Sequence, residues 1–268
     1  MTLSLKTSLR GSSTRRYLEL LHLLVERNLK GRYRGSFLGV YWSLLNPLIM
    51  TGLYAAIFGT AFAQYYDNSS LNYILAAFTG LIVINFFSSS TNQALASVVA
   101  GGGLLNKIRL PVSIFPVSMI VANIVQFILG PLPLLAIVTL WISKNPLNVL
   151  VLPLPFLALS LVCSGVGFFV SALYVFFRDL SYFYELVCFV LWISSPIFYP
   201  DKIVPASVKS FLLLNPLIPI IKSIRQISLS GDLPDFGLIG HSFLNGFILL
   251  MLGWICFRSW QKHFMDLL

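Results

Sequence analysis

Few residues in this sequence have the type and spacing to do covalent chemistry. No G-x-x-x-x-G-K-[ST] loop is present to cradle a nucleotide's phosphates, so the chain is not expected to hydrolyse ATP alone. His22, His241 and His263 are scattered and form no H-E-x-x-H pattern, although His241 and Asn245 stand one helical turn apart. Cys163, Cys188 and Cys256 are an odd set inside apolar runs, without metal-ligand spacing, and read as small hydrophobes. No catalytic residue, metal or cofactor is therefore expected. Glu185 and Asp179 are the acids nearest an apolar segment, and Arg178 is a ready partner for Glu185. The centres of the apolar runs lack the carboxylate or base that a proton- or sodium-coupled transporter places there, so energy for any transport should come from another chain.

Two groups of residues have binding chemistry. Arg27, Lys30, Arg32 and Arg34 cluster just before the first long apolar run. Such a cluster either anchors membrane topology or attracts an anionic lipid phosphate or pyrophosphate. Tyr41, Trp42, Tyr54 and Phe58 fall in the first apolar run, and Tyr184, Phe189 and Trp192 in the fifth. Aromatic faces stack on the apolar faces of sugar rings, which makes these seven candidates for lining a conduit. The competing readings are interfacial belts and ordinary helix packing.

The elements that position these groups follow from composition. The chain has 57% apolar and 10% charged residues and a mean hydropathy of +0.85, against about 25% charged in a soluble domain. The bilayer is the solvent that fits, and the expected class is all-α and polytopic. Residues 1–36 form a cytosolic segment without a clean signal-peptide core, in which 15–31 has one face of Tyr17, Leu18, Leu20, Leu21, Leu24, Val25 and Leu29 opposite a basic one. This predicts an amphipathic helix in the membrane interface. Six spans are expected within 37–257, at about 37–63, 73–99, 112–142, 149–177, 182–199 and 236–257, with prolines kinking the third. The apolar stretch 211–221 is too short to cross and reads as re-entrant. Residues 258–268 form the tail.

With both termini cytosolic, the inside receives the eight lysines and arginines before Ser36 together with Lys107, Arg109, Arg178, Arg258 and Lys262. The outside receives Lys144, Lys202, Lys209, Lys222 and Arg225. That asymmetry supports the orientation and accounts for the net charge of +9 without nucleic acid. Two stripes of small residues, Gly31–Gly35–Gly39 and Ala55–Gly59–Ala63, are candidates for close helix approach.

The segment KGRYRGSFLGVYWSLLNP at 30–47 resembles the opening segment of type-2 ABC exporter permeases for O-antigen, capsular polysaccharide and teichoic acid. NKIRLP at 106–111, FFRDL at 176–180, SPIFYP at 195–200 and LNPLIPII at 214–221 extend the resemblance in family order over nearly the whole chain. The resemblance implies a transport permease, not an enzyme: two copies of this chain in the cytoplasmic membrane, joined to two copies of a separate ATPase that holds ATP and Mg. It implies that Leu104, Asn106, Lys107, Ile108, Arg109 and Leu110 form a coupling helix docked on that ATPase. It also implies external re-entrant helices near 207–230 and an aromatic-lined channel between the copies. The implied cargo is lipid-linked polysaccharide, with membrane lipid the other contact. A drug or free lipid as cargo, a membrane enzyme acting on lipid-linked sugars, and a stand-alone channel are the alternatives.

Overall fold

The computed structural model describes residues 13–105, 107, 110–200, 203–205, 207, 209, 212, 214–230 and 233–267, and among them the regular structure is all helical. Helix α1 is Ser13–Tyr33. Gly35 and Gly39 then turn the chain with φ of +79° and +50°, a left-handed backbone that glycine adopts without strain. A 3₁₀ turn leads into α2, Trp42–Phe62. Asp67 and Asn68 take positive φ in the next turn, and the Ser69 hydroxyl caps α3, Ser70–Ala100, by accepting from the Asn72 amide.

Gly101 ends α3 where a Cβ would stand 2.4 Å from the Phe115 ring. The short α4, Gly102–Leu105, follows. Helices α5, Ile114–Leu129, and α6, Pro131–Ser143, meet at Gly130 with a bend of 43°. The expected kink in the third apolar run is therefore present. It lies at Gly130–Pro131, where Pro131 has no N–H to continue the helix, while Pro116 sits harmlessly in the first turn of α5. Lys144 closes α6 in the left-handed region, and the Asn145 side chain caps α7, Pro146–Val151, which runs into α8, Pro153–Phe176. Then come α9, Leu180–Ser194, α10, Leu217–Leu229, and α11, Phe236–Trp260, whose start is capped by Asp235.

Among the described residues four helical runs are long and apolar enough to cross a bilayer: 39–65, 70–100, 146–176 and 236–264. The bent α5–α6 pair makes a fifth if it acts as one span. The expected fifth span at 182–199 is represented by α9, which has only 15 residues, about 22 Å of helix. Helix α10 is also too short to cross. Its Leu217, Ile220, Ile221, Ile224 and Ile227 are all buried in the main core, against α3, α6 and α11, and Ile218 is buried as well.

Helix α3 is the centre of the main core and α2 its edge, with 72% and 17% of their most apolar windows buried. A close backbone approach joins α8 to α11 at glycines outside the stripes singled out from sequence. Gly31, Gly35, Gly39 and Gly59 have open space where a Cβ would point, whereas a Cβ on Gly253 would lie 2.0 Å from the Gly165 carbonyl oxygen.

Helix α10 is fastened at several points. Asn215 donates to the Ser194 and Ser195 hydroxyls at 3.1 and 3.0 Å. Asn148 donates to the carbonyls of Ile227 and Ser230. Arg225 donates from Nε and Nη2 to the Ala76 carbonyl at 3.0 and 2.9 Å, and from Nη2 to Ile197 O at 3.1 Å. Gly80 leaves the room for this, since a Cβ there would meet both Ile197 and Arg225. Bonds from a charged donor contribute about 1.5–3 kcal/mol, so Arg225→Leu should destabilise the chain by about 2 kcal/mol. A lowered thermal midpoint in detergent is the expected result; an unchanged one refutes the assignment.

A second, smaller core closes the end of the molecule that holds α4. Leu24 of α1, Leu105, Phe115, Phe168 of α8, and Phe257 and Phe264 from the end of the chain meet there. Phe264 has no solvent exposure. The apolar face of α1 is thus packed on protein, through Leu24 and Val25, against α5, although Leu18 and Leu23 point outward.

Candidate functional site

The four basic residues before α2 have different surroundings. Lys30 pairs with Glu26 one turn away on the exposed face of α1. Hydrogen bonding from Lys30, and then its charge, holds the Glu26 carboxyl below the usual carboxylate range. The small stabilisation of that pair is present above the ordinary glutamate pKa and is lost as pH falls through the depressed one. Arg34 is exposed beyond the helix end. Arg27 bonds its neighbour Asn28 at 3.4 Å, and Asn28 donates to the Ser118 hydroxyl at 3.1 Å, tying α1 to α5.

Arg32 alone turns inward. One terminal nitrogen donates to Asn123 Oδ1 at 3.2 Å and to Gln126 Oε1, both on α5; the other donates to Gln93 Oε1 on α3. Asn123 in turn donates to Gln93 at 2.8 Å. These partners are neutral amides. Among the described residues the ion pairs are Arg15–Glu19 and Lys30–Glu26, so the Arg32 charge has no carboxylate counterpart there.

Arg32 and Gln93 stand in the wall of a crevice of about 290 Å³ between α1, α2, α3 and α5. Helix α2 contributes Trp42, Ser43 and Asn46, and α3 contributes Asn85 and Ser89. Tyr33 Oη is buried in the same wall beside Arg32 and makes no well-formed hydrogen bond; burial raises the Tyr33 phenol above its usual range. A second, more open cavity adjoins through Arg32 and Gln93 and extends past Arg27. Sequence reasoning searched the spans for charge and so passed over these amides. The available signal was the i, i+4, i+8 spacing of Asn85, Ser89 and Gln93 on one face of an apolar helix.

The aromatic candidates divide in a similar way. Tyr54 stacks on Phe58 at 6.1 Å between ring centroids and faces Trp192 at 6.5 Å, and Trp192 stacks on Phe189 at 6.0 Å. Phe198 bridges Tyr54 and Trp192 at 3.5 and 5.2 Å. Four candidates from α2 and α9 therefore converge in one aromatic array. Tyr41 and Trp42 lie apart from it, exposed at the opposite end of α2. Tyr184 is only 4% exposed and packs in the main core.

Of the expected coupling segment, Leu104 and Leu110 rest against the second core and Lys107 is exposed. Asn106, Ile108 and Arg109 lie outside the described residues. Glu185 and Arg178 do not form the pair expected from sequence; the Arg178 guanidinium sits 5.6 Å from the Tyr174 ring centroid.

The ABC-2 type transporter family matches residues 19–229, from the middle of α1 to the end of α10. The chain belongs to that family. It is a multi-pass membrane permease of the O-antigen and capsule export branch, a transporter component and not an enzyme. It is 31% identical to the O-antigen export system permease protein RfbA of Myxococcus xanthus over 93% of this chain and 95% of that one. The RfbA protein of Klebsiella pneumoniae is 29% identical over the same shares. The polysialic acid transport protein KpsM of Escherichia coli is 23% identical over 88% and 91%. For the permease, membership implies an ABC ATPase as partner and a lipid or polysaccharide cargo.

Proposed function

We propose that this permease exports lipid-linked polysaccharide, of the O-antigen, capsule or teichoic acid type, across the cytoplasmic membrane. Two copies associate with two copies of a separate ATPase. Each copy has six spans, counting the bent α5–α6 pair and the short α9, with both termini cytosolic and α10 in an external re-entrant segment. The likeness to O-antigen export permeases over almost the full length of both chains carries this reading. The scarcity of acids in the spans agrees with a motor on another chain.

Within this reading, residues 104–110 couple to the ATPase, supported by the exposure of Lys107 beside the buried Leu105. Arg27, Lys30, Arg32 and Arg34 receive the anionic head of the cargo at the cytosolic face. The array of Tyr54, Phe58, Phe189 and Trp192, with Tyr41 and Trp42 nearer the cytosol, lines the route between the copies. Tyr184 packs behind it.

Deletion of the chain in its native host is the test. Lipid-linked glycan should accumulate inside the cell by mass spectrometry, with loss of the surface glycan. Unchanged intracellular and surface glycan refutes the polysaccharide cargo.

A further inference from the structure

The crevice around Arg32 is built unlike the rest of the membrane domain. It brings one permanent positive charge together with the amides of Asn46, Asn85, Gln93 and Asn123. Three amide oxygens hold the guanidinium, and among the described residues no acid neutralises it. The guanidinium makes charge-assisted bonds to either kind of oxygen, but an ionised phosphate oxygen adds the attraction of opposite charges that a neutral amide lacks, so it is a better partner for Arg32 than the amides are. Each amide also carries an N–H₂ group that can turn toward the anion once its oxygen is released.

The position of the other amides extends the argument. Asn46 and Asn85 bond no other side chain among the described residues, yet both line the crevice. Gln93 lies ~10 Å and Asn85 ~22 Å along α3 from its Ala100 end, at 1.5 Å per residue. The polar wall thus runs from the end beside α1 deep into the helix. Neutral donor–acceptor pairs beside a Trp42 ring are what sugar hydroxyls and a sugar face require. A volume of about 290 Å³ is at the small end of ligand sites, about 300 Å³, and suits a phosphate with one sugar rather than a polymer.

We propose that this crevice is a recognition site for the phosphorylated first sugar of a glycolipid. Arg32 takes a phosphate oxygen, and Asn46 and Asn85 take hydroxyls of the adjoining ring. The inference rests on the export reading for the identity of its ligand. It adds that selection is made inside each copy, before the cargo reaches any route between copies.

The full-length permease in phosphatidylcholine nanodiscs is titrated with two short polyprenyl diphosphates, one bare and one bearing an N-acetylhexosamine. Arg32→Gln should weaken binding of both by about tenfold to a hundredfold, the value of a hydrogen bond to a charged group. Asn85→Leu, which touches no clasp between helices, should weaken only the sugar-bearing probe, by about fivefold for one neutral bond. Phosphatidylglycerol at equal concentration should not displace either probe. Unchanged affinity in Arg32→Gln overturns the site. Equal effects of Asn85→Leu on both probes, or displacement by phosphatidylglycerol, overturn sugar recognition in favour of a general phosphate site. Binding is read without transport. Probe binding with intact surface glycan in the deletion strain therefore refutes export alone, and export with unaltered affinity in Arg32→Gln refutes the site alone.

Discussion

Gly253→Leu is expected to prevent α8 and α11 from closing and to leave little monodisperse permease after extraction. A Cβ at this position would lie 2.0 Å from Gly165 O and 3.0 Å from Gly165 Cα. The obstacle is backbone, which cannot rotate aside as a side chain does. The reverse contact is equally tight, since a Cβ on Gly165 would stand 2.4 Å from the carbonyl of Leu249. Relief requires the two helices to separate along a contact that also includes Gly246 over the Ala158 carbonyl. Overpacking in an ordinary core destabilises by about 1–3 kcal/mol; here the loss should exceed that range. Gly253→Ala should be intermediate. Gly240→Leu, on the same helix but with open space around it, should melt close to wild type. Thermal unfolding followed by size exclusion decides the matter, and a Gly253→Leu protein as stable as Gly240→Leu contradicts the packing argument.

Charge reversal of both Lys107 and Arg109 to Glu should abolish export while leaving the membrane domain folded. Lys107 is exposed at the connection between α3 and α5, and the neighbouring Leu105 is anchored in the second core. The Lys107 substitution therefore alters an exposed side chain and leaves the anchor intact. Like charges brought together at an interface oppose association by several kcal/mol. ATPase recovered with the tagged permease should fall at least tenfold, with surface glycan at background and the thermal midpoint unchanged. Wild-type export by this double variant removes residues 104–110 from the coupling role.

What the sequence made legible was governed by solvent. Apolar runs long enough to cross a bilayer had to be helices, because backbone N–H and C=O groups find no other partner in lipid. The break at Gly101 and the bend before α6 were readable from residues with few backbone options. Tyr54, Phe58, Phe189 and Trp192 were among the seven aromatics singled out from sequence, but that these four meet, through Phe198, depends on the turn after α9.

The unreadable parts depend on which helices become neighbours. Gly165 and Gly253 are 88 positions apart in sequence, and neither belongs to the glycine stripes visible along single helices. Arg225 read as a loop charge because its acceptors, Ala76 and Ile197, are remote in sequence. The amide wall of the crevice combines α2, α3 and α5, and single uncharged amides give little contrast in an apolar run. Arg34 and Arg32 differ by two positions, yet only Arg32 faces the protein at the end of α1.

The second core also sets a timetable for biosynthesis. Phe257 and Phe264 complete a cluster begun by Leu24 and Leu105. A growing chain therefore holds α1 and the α4 segment over an unfilled gap until residues 257–264 have left the ribosome. A chain stopped before Phe257 leaves that gap open and apolar surface uncovered at the same end as α4, a mark by which proteolytic surveillance can separate it from chains that carry Phe257 and Phe264.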